Sequence, residues 1–511
     1  MSEPFTYDSI PYPSFTFPKT SPERLATQAA VNGMKAADPR ECTYLELGCG
    51  DGTNLLSHAY MYPESKFLGI DLSQTHIDQA NAAVAELGIN NAMFRQLDVM
   101  DLDEDELGEF DYITAHGLFS WVPEPVRIRL LDIYAKHLAP AGVGYISYNA
   151  LPGCHIRAMM NEMMQYHTRN MAEPMEKVNS GASLLKFIGD VTDADSTYQL
   201  TVREELENLV DRSKENIFHD DLSETNRPFY LYEFAGMLGA NHLQYLCEAD
   251  EALMNTGSLS PDTVRVIDAM SANLIECEQY LDFIRCRRFR STLFCREGVE
   301  LDRNYLRDHI DEFYLAGRLR CEAPATTVGT EEPETFFGPK SEKITSNHPL
   351  TKAAIRCLSD RWTRGIPFDE LIDKSVEVFA LPDKFRTESD ISRTRDFMIE
   401  LFRVGMFRLR CLPDGCVTEA GPKPRASRFA RWQVERGMPN VVTLTGLSLE
   451  PDGDATRYIL MLADGTRDHD DLVGWMLENL EAKDGDQTKE TAQEVLKITL
   501  EALARNGLLE A

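Results

Sequence analysis

Residues 43–54 read TYLELGCGDGTN. An apolar run stops at three alternating glycines, Gly48, Gly50 and Gly52, and Glu46 stands two residues ahead of the first. The residues that follow, NLLSHAYMY (54–62), have helical spacing. The segment therefore reads as a strand, a tight turn and a helix. Glycines let a backbone turn sharply and approach a ligand where a Cβ would clash. A helix start then offers unpaired N–H groups.

Working outward, KFLGID (66–71), AMFRQLD (92–98), FDYITAH (110–116) and GYISYN (144–149) read as further strands. THIDQANAAVAELG (75–88) and VRIRLLDIYAKHL (126–138) read as the helices between them. Strands alternating with helices imply a Rossmann-like α/β sheet covered on both faces. Open sheets of this kind bind ligands beside the carboxyl ends of their strands. Those ends carry Asp71, Asp98, His116 and Gly117 in order.

The turn differs from a dinucleotide loop. Its pattern is ExGxGxG and not GxGxxG, and an acid ahead of the glycines suits a ligand with a cationic tail, not a pyrophosphate. S-adenosylmethionine has a sulfonium and an amino-acid tail. The expected cofactor site is Glu46, Gly48, Cys49, Gly50, Gly52 and Asn54 around the turn, Asp71 and Leu72 at the ribose, and Asp98 and Val99 at the adenine. His116 and Gly117 complete it at the fourth strand.

The chain has 511 residues, which predicts several domains. We read residues 1–154 as the sheet domain with an N-terminal arm, and 155–323 as a helical insert or cap. RFRSTLFC (288–295) interrupts that block as one strand, and residues 288–296 are expected to return to the sheet. Residues 264–283 read as one long helix. Residues 324–345, rich in Thr, Glu, Pro and Gly, read as a linker. In 346–422, helices over 350–360, 368–379 and 389–404 precede MFRLRCLPDGCVTE (406–419), read as a hairpin. That order is winged-helix-like. Residues 423–511 read as a C-terminal helical domain. The two blocks together predict C-terminal winged-helix-like α+β domains.

A net charge of −31 argues against a generic nucleic-acid binder and is compatible with a lysine-rich polypeptide partner. Eleven scattered cysteines without metal-ligand spacing suggest reduced thiols in a cytoplasm and no metal site. No apolar run approaches the ~20 residues of a membrane span. The first residues, MSEPFTYDSI, lack the basic start of a secretory signal.

The chain resembles class I S-adenosylmethionine-dependent methyltransferases. More closely, ELGCGDGTNLL (46–56), AHGLFSWVPEPVR (115–127), ISYNALPGC (146–154), FHDDLSETNRPFYLYEFA (218–235), LQYLCEAD (243–250) and DFIRCRRFRSTLF (282–294) resemble a bacterial group with a methyltransferase regulatory domain. That group includes the rickettsial protein lysine methyltransferases. The chain departs from it at Ser21-Pro22, at Gly52-Thr53-Asn54 and at Cys154, which lies on the expected acceptor side. The resemblance implies N-methylation of lysine on a protein or peptide, and a homodimer through the helical block. Methylation of a small molecule or modified peptide stays open, as does a regulator acting through the winged helix.

A lysine acceptor must shed a proton before transfer. His116 is the expected base. Tyr148, Trp121 and Phe119 are candidate cation–π walls, Tyr12 of the arm a candidate lid, and Asn149 an amine acceptor or cofactor clamp.

Overall fold

The computed structural model describes residues 10, 12, 15–102, 107–191, 196–210, 212–223, 225–257, 259–479 and 488–510. Its organising element is one mixed sheet. Five strands are parallel: β1 (Thr43–Leu47), β2 (Lys66–Asp71), β3 (Ala92–Gln96), β4 (Phe110–Ala115) and β5 (Leu138–Asn149). Two more, β6 (Leu243–Glu248) and β7 (Phe289–Arg296), close one edge, giving the order 3-2-1-4-5-7-6.

β1 sits at the centre, and Tyr44, Leu45, Glu46 and Leu47 are buried. A strand covered on both faces needs continuous apolar residues, and TYLEL supplies them except at Thr43, its first residue, and Glu46. Tyr44 joins one core layer with Tyr112 and Tyr145, while Leu45, Leu47 and Ile113 join the layer on the opposite face. The helices Thr53–Met61, Gln74–Leu87 and Glu124–His137 form where the apolar spacing places them. Ser73 caps the second by accepting from the His76 N–H, and Gly88, at φ 64°, ends it.

β7 runs antiparallel to β5, with Tyr148 opposite Arg290 and Asn149 opposite Phe289. β6 runs antiparallel to β7. Five helices, from Cys154–Thr168 to Leu231–Ala240, are spliced between β5 and β6. The sequence reading of this block misses β6. LQYLCE alternates too little to announce a strand, because both of its faces are covered. The single helix expected over 264–283 is two, Pro261–Met270 and Leu274–Arg285. Asn273 breaks the run by accepting from the Glu276 N–H, as a helix cap does.

A buried charge cluster latches β7. The Arg290 guanidinium lies 2.8 Å from Asp282, 3.1 Å from Glu248 and 3.1 Å from Glu278. Arg287 lies 3.0 Å from Asp282. Tyr245 donates to Glu278 at 2.7 Å, and the Ser291 N–H donates to Glu248. The cluster thus ties β6, β7 and the helix Leu274–Arg285 together.

Beyond the sheet, β8 (Tyr314–Ala316) pairs with β12 (Ile366–Pro367) and β13 (Arg408–Arg410); β9 (Arg320–Cys321), β10 (Glu334–Phe337) and β11 (Lys343–Ser346) form a second small sheet. The latter corrects the linker expected over 324–345. Its Thr and Glu residues face partners: Lys352 lies 3.4 Å from Glu334 and donates to the carbonyls of Thr327, Thr330 and Glu332. The hairpin expected over 406–419 is also not formed. β13 pairs with β8, Asp414 accepts from the Gly365 N–H, and Cys416 bridges to Glu510.

The last lobe carries β14 (Val441–Val442) and β15 (Ser448–Leu449) and the helices Arg428–Glu435, Gly453–Leu462, His469–Asn479 and Lys489–Arg505. It meets the sheet domain where Tyr60 donates to Glu510 at 2.6 Å and Trp432 donates to Glu86 at 2.8 Å. Among the described residues, no helix is long and apolar enough to cross a membrane.

Removing one partner of a buried ion cluster leaves the others charged and desolvated. Arg290→Met is therefore expected to destabilise the chain by about 3–5 kcal/mol. Urea unfolding followed by circular dichroism reads this as a lowered midpoint.

Candidate active site

The carboxyl edge of β1, β2 and β4 gathers the glycine turn and its acids. Gly48, Gly50 and Gly52 all have positive φ, at 74°, 54° and 76°. A Cβ at Gly52 would stand 2.6 Å from the Phe94 ring, so close packing excludes a side chain there. A Cβ at Gly50 or Gly117 would meet nothing within 4 Å. Those two glycines border open space.

Asp71 holds the turn in place. One carboxylate oxygen accepts from the Gly50 N–H at 2.8 Å, and the other from the Ser73 N–H at 2.9 Å. Leu72 beside it is exposed. Asp98 accepts from the Met100 N–H at 2.9 Å and starts a short turn at Val99. Both acids keep lone pairs to offer a ligand.

Glu46 is buried. Its Oε1 accepts from the Asn54 amide at 2.7 Å, while its Oε2 is buried without a partner. Burial pushes its carboxyl up to about 8, against the lowering pull of the Asn54 bond. Asn54 is a hub. Its amide also donates to Thr20 at 3.0 Å, and its oxygen accepts from the Phe17 N–H at 2.8 Å. The arm is thereby fastened to the glycine turn through one side chain. Cys49 is buried, and burial raises its thiol well above the usual range.

His116 and Gly117 stand at the end of β4. The Gly117 N–H donates to Ser147 at 2.7 Å. The His116 ring stacks on Phe17 at 3.7 Å, and its Nδ1 lies 2.8 Å from the Tyr145 hydroxyl. Burial, with Lys19 nearby, pushes the imidazole down to about 3. A ring held this low is a poor acceptor for an ammonium proton, which weighs against the base role expected of His116.

Two expected aromatic walls are likewise core. Tyr148 is buried, stacks on Phe234 at 4.4 Å and meets Thr292 through its hydroxyl. Phe119 is enclosed by Phe229 and Phe234. Both point to the face where the regulatory helices pack. Trp121 is half-buried, and its backbone N–H donates to the Leu118 carbonyl. Tyr12 packs 5.8 Å from His219, whose ring meets the Ile10 carbonyl at 2.7 Å. Asn149 ends β5; its amide donates to Asn226 at 2.8 Å. Cys154 donates to the Arg288 carbonyl, inside the chain's own packing.

Sequence reasoning missed Phe17, Thr20, Tyr145 and Ser147. The alternation of β5 places Tyr145 and Ser147 on one face and was the available signal. Nothing local marks Phe17, whose ring stacks on a residue of a distant strand end, His116.

The family model described as "Methyltransferase domain" matches residues 45–143, and that described as "Predicted methyltransferase regulatory domain" matches 213–296. A third, "PKMT, C-terminal winged helix domain", matches 422–508. The uncharacterized protein RP789 of Rickettsia prowazekii is 33% identical over 375 residues, covering 72% of this chain and 68% of that protein. The chain belongs to the S-adenosylmethionine-dependent methyltransferases that carry a methyltransferase regulatory domain. A second protein of that organism, RP028, is 36% identical over 230 residues, 45% of this chain and 92% of its own. The solved structure of PKMT2 from Rickettsia typhi in complex with AdoHcy matches the methyltransferase at a TM-score of 0.88 and 28% identity. It covers 98% of this chain and 100% of that one.

The methyl donor is therefore S-adenosylmethionine, and the non-enzymatic regulator reading falls. The residues present fit that group. Gly50 and Gly117 leave open space at the turn and at the end of β4, and the buried Glu46 Oε2 has no partner within the chain. The winged-helix match falls on the last lobe of the methyltransferase, not on 346–422.

Two outcomes follow. Asp71→Ala removes the acceptor that shapes the turn and is expected to weaken S-adenosylhomocysteine binding about 100-fold by calorimetry. Glu46 binds its proton more tightly folded than unfolded, so its contribution to stability is largest at low pH. That contribution is lost as pH rises from the ordinary carboxylate range through about 8. Glu46→Gln should flatten the fall in urea midpoint between about pH 5 and 8.

Proposed function

We propose that this methyltransferase N-methylates lysine side chains of a protein or peptide substrate. The whole-length match to PKMT2, accessory lobes included, carries this reading. A small-molecule enzyme has little use for those lobes, and the net charge of −31 suits a lysine-rich partner.

Glu46, Gly48, Cys49, Gly50, Gly52 and Asn54 would hold the amino-acid tail of the donor. Asp71 and Leu72 would take the ribose, Asp98 and Val99 the adenine, and His116 with Gly117 the sulfur end. The bound donor supplies an electrophilic methyl group on a sulfonium. The remaining work is positioning. The lysine nitrogen attacks with its lone pair, the new bond is N–CH3, and the electron pair of the broken C–S bond stays on sulfur.

The acceptor ammonium loses its proton before attack. A dry site lowers its pKa and lets the proton pass to solvent. His116 stays neutral, so it adds no charge to oppose the ammonium; Tyr145 and Phe17 fix its ring. With its amide nitrogen engaged by Asn226, Asn149 offers its oxygen to the amine.

Exposed Phe187, Tyr198 and Leu200 on the helical block support a homodimer through that block. Eleven cysteines without a disulfide support a reducing, cytoplasmic location.

The test is full-length enzyme with methyl-tritiated S-adenosylmethionine in a bacterial lysate, followed by fractionation and acid hydrolysis. Label is expected in protein, as methyllysine. Label confined to small-molecule extracts overturns the reading.

A further inference from the structure

The aromatic residues that the structure brings to the carboxyl edge are not those whose local sequence advertises a site. Phe289 opens β7, directly opposite Asn149 on β5. The other residues of β7 are buried or half-buried, while Phe289 is 41% exposed. Its ring lies 5.9 Å from that of His116. From His116 the rings continue into the arm: Phe17 at 3.7 Å, then Phe15 at 6.4 Å from Phe17, then Tyr12 at 6.1 Å from Phe15. Phe15, at 38% exposure, is the other open ring.

This row crosses the strand ends where the reacting groups meet. Phe289 and Phe15 are the two exposed rings of this row, linked through His116 and Phe17. Ring faces attract cations, and that attraction grows as water is excluded. The cation already at this edge, Lys19, is engaged by Asp250 at 3.6 Å. Among the described residues, no lysine or arginine lies over the rings of Phe289, Phe15 or Phe17.

We propose that Phe289, with Phe15 and Phe17, forms the acceptor-side wall of the site and selects an alkylammonium group by cation–π contact. This deepens the lysine reading and rests on it for the identity of the amine. An amine reaches the site as an ammonium and leaves as a methylammonium, so the wall acts before proton loss and after transfer. A wall that holds the methylated product favours a second and third transfer before release. Phe289 is thus a specificity-determining residue supplied from outside the methyltransferase domain match, by the strand that returns through the regulatory segment.

The test uses the full-length enzyme loaded with S-adenosylhomocysteine. Choline and its neutral isostere 3,3-dimethylbutan-1-ol are titrated under saturation-transfer NMR at constant ionic strength. Choline is expected to saturate and the alcohol not. Phe289→Ala and Phe289→Leu should weaken choline about tenfold, while Phe289→Tyr stays near the parent. S-adenosylhomocysteine affinity by calorimetry should hold in all three, which separates loss of the wall from loss of fold. Equal binding of the alcohol, or a Phe289→Leu enzyme that binds choline like the parent, overturns the proposal. A second arm follows transfer to poly-L-lysine by mass spectrometry, where Phe289→Ala should shift product towards monomethyllysine. Choline selectivity with no label on any lysine-containing acceptor would sink the lysine reading and leave the wall standing for another amine.

Discussion

The return of β7 is the constraint on which the molecule depends. Between β5 and its antiparallel neighbour β7 the chain makes a long excursion through helices, loops and the strand β6. Closing so long an excursion costs chain entropy, and the charge cluster around Arg290 is where the ends are locked. Three carboxylates share two guanidiniums out of water, with burial raising Glu248 and the arginines pulling it back. Such a cluster tolerates little rearrangement, since any partner that moves away strands a charge. The regulatory helices are therefore part of the catalytic fold and not an appendage. They supply β6, complete the edge of the sheet and bring Phe289 to the rim.

At the other side of the site the same logic operates with lighter means. Asp71 fixes the glycine turn through one backbone N–H, and Asn54 joins the turn to Glu46, Thr20 and Phe17. The arm is thereby coupled to the cofactor loop through the Asn54 amide, while Tyr44 and His58 also hold Thr20. A chain of contacts thus runs from Glu46 through Asn54 to Phe17, and through the ring stack to His116.

The glycine turn was legible because its constraints are local. Positive φ at three positions admits glycine and little else. Asp71 and Asp98 were legible because the sheet lays successive strand ends side by side. Tyr148 and Phe119 misled because an aromatic near a strand end looks the same whether it faces ligand or core. Their packing on Phe234 depends on a helix more than eighty residues downstream of either. The 324–345 segment misled for a similar reason. Turn-rich composition hid two strands that need Lys352 and Arg356 from the next helix to satisfy them. The hairpin around Asp414 failed because its second arm pairs with the segment at Glu510.

By itself the sequence determined the α/β alternation, the order of the parallel strands' acids, and the loop that takes a sulfonium cofactor. Each of these rests on spacing within a few tens of residues, where backbone geometry leaves few choices. The tertiary structure alone decided which rings gather around His116, that His116 is packed between Phe17 and Tyr145, and that β6 joins the returning β7, anticipated in the sequence, to complete the sheet. Those facts arise from burial and from pairing between distant segments. A side chain's pKa and exposure are properties of its neighbours, and its neighbours are set only once the chain has closed on itself.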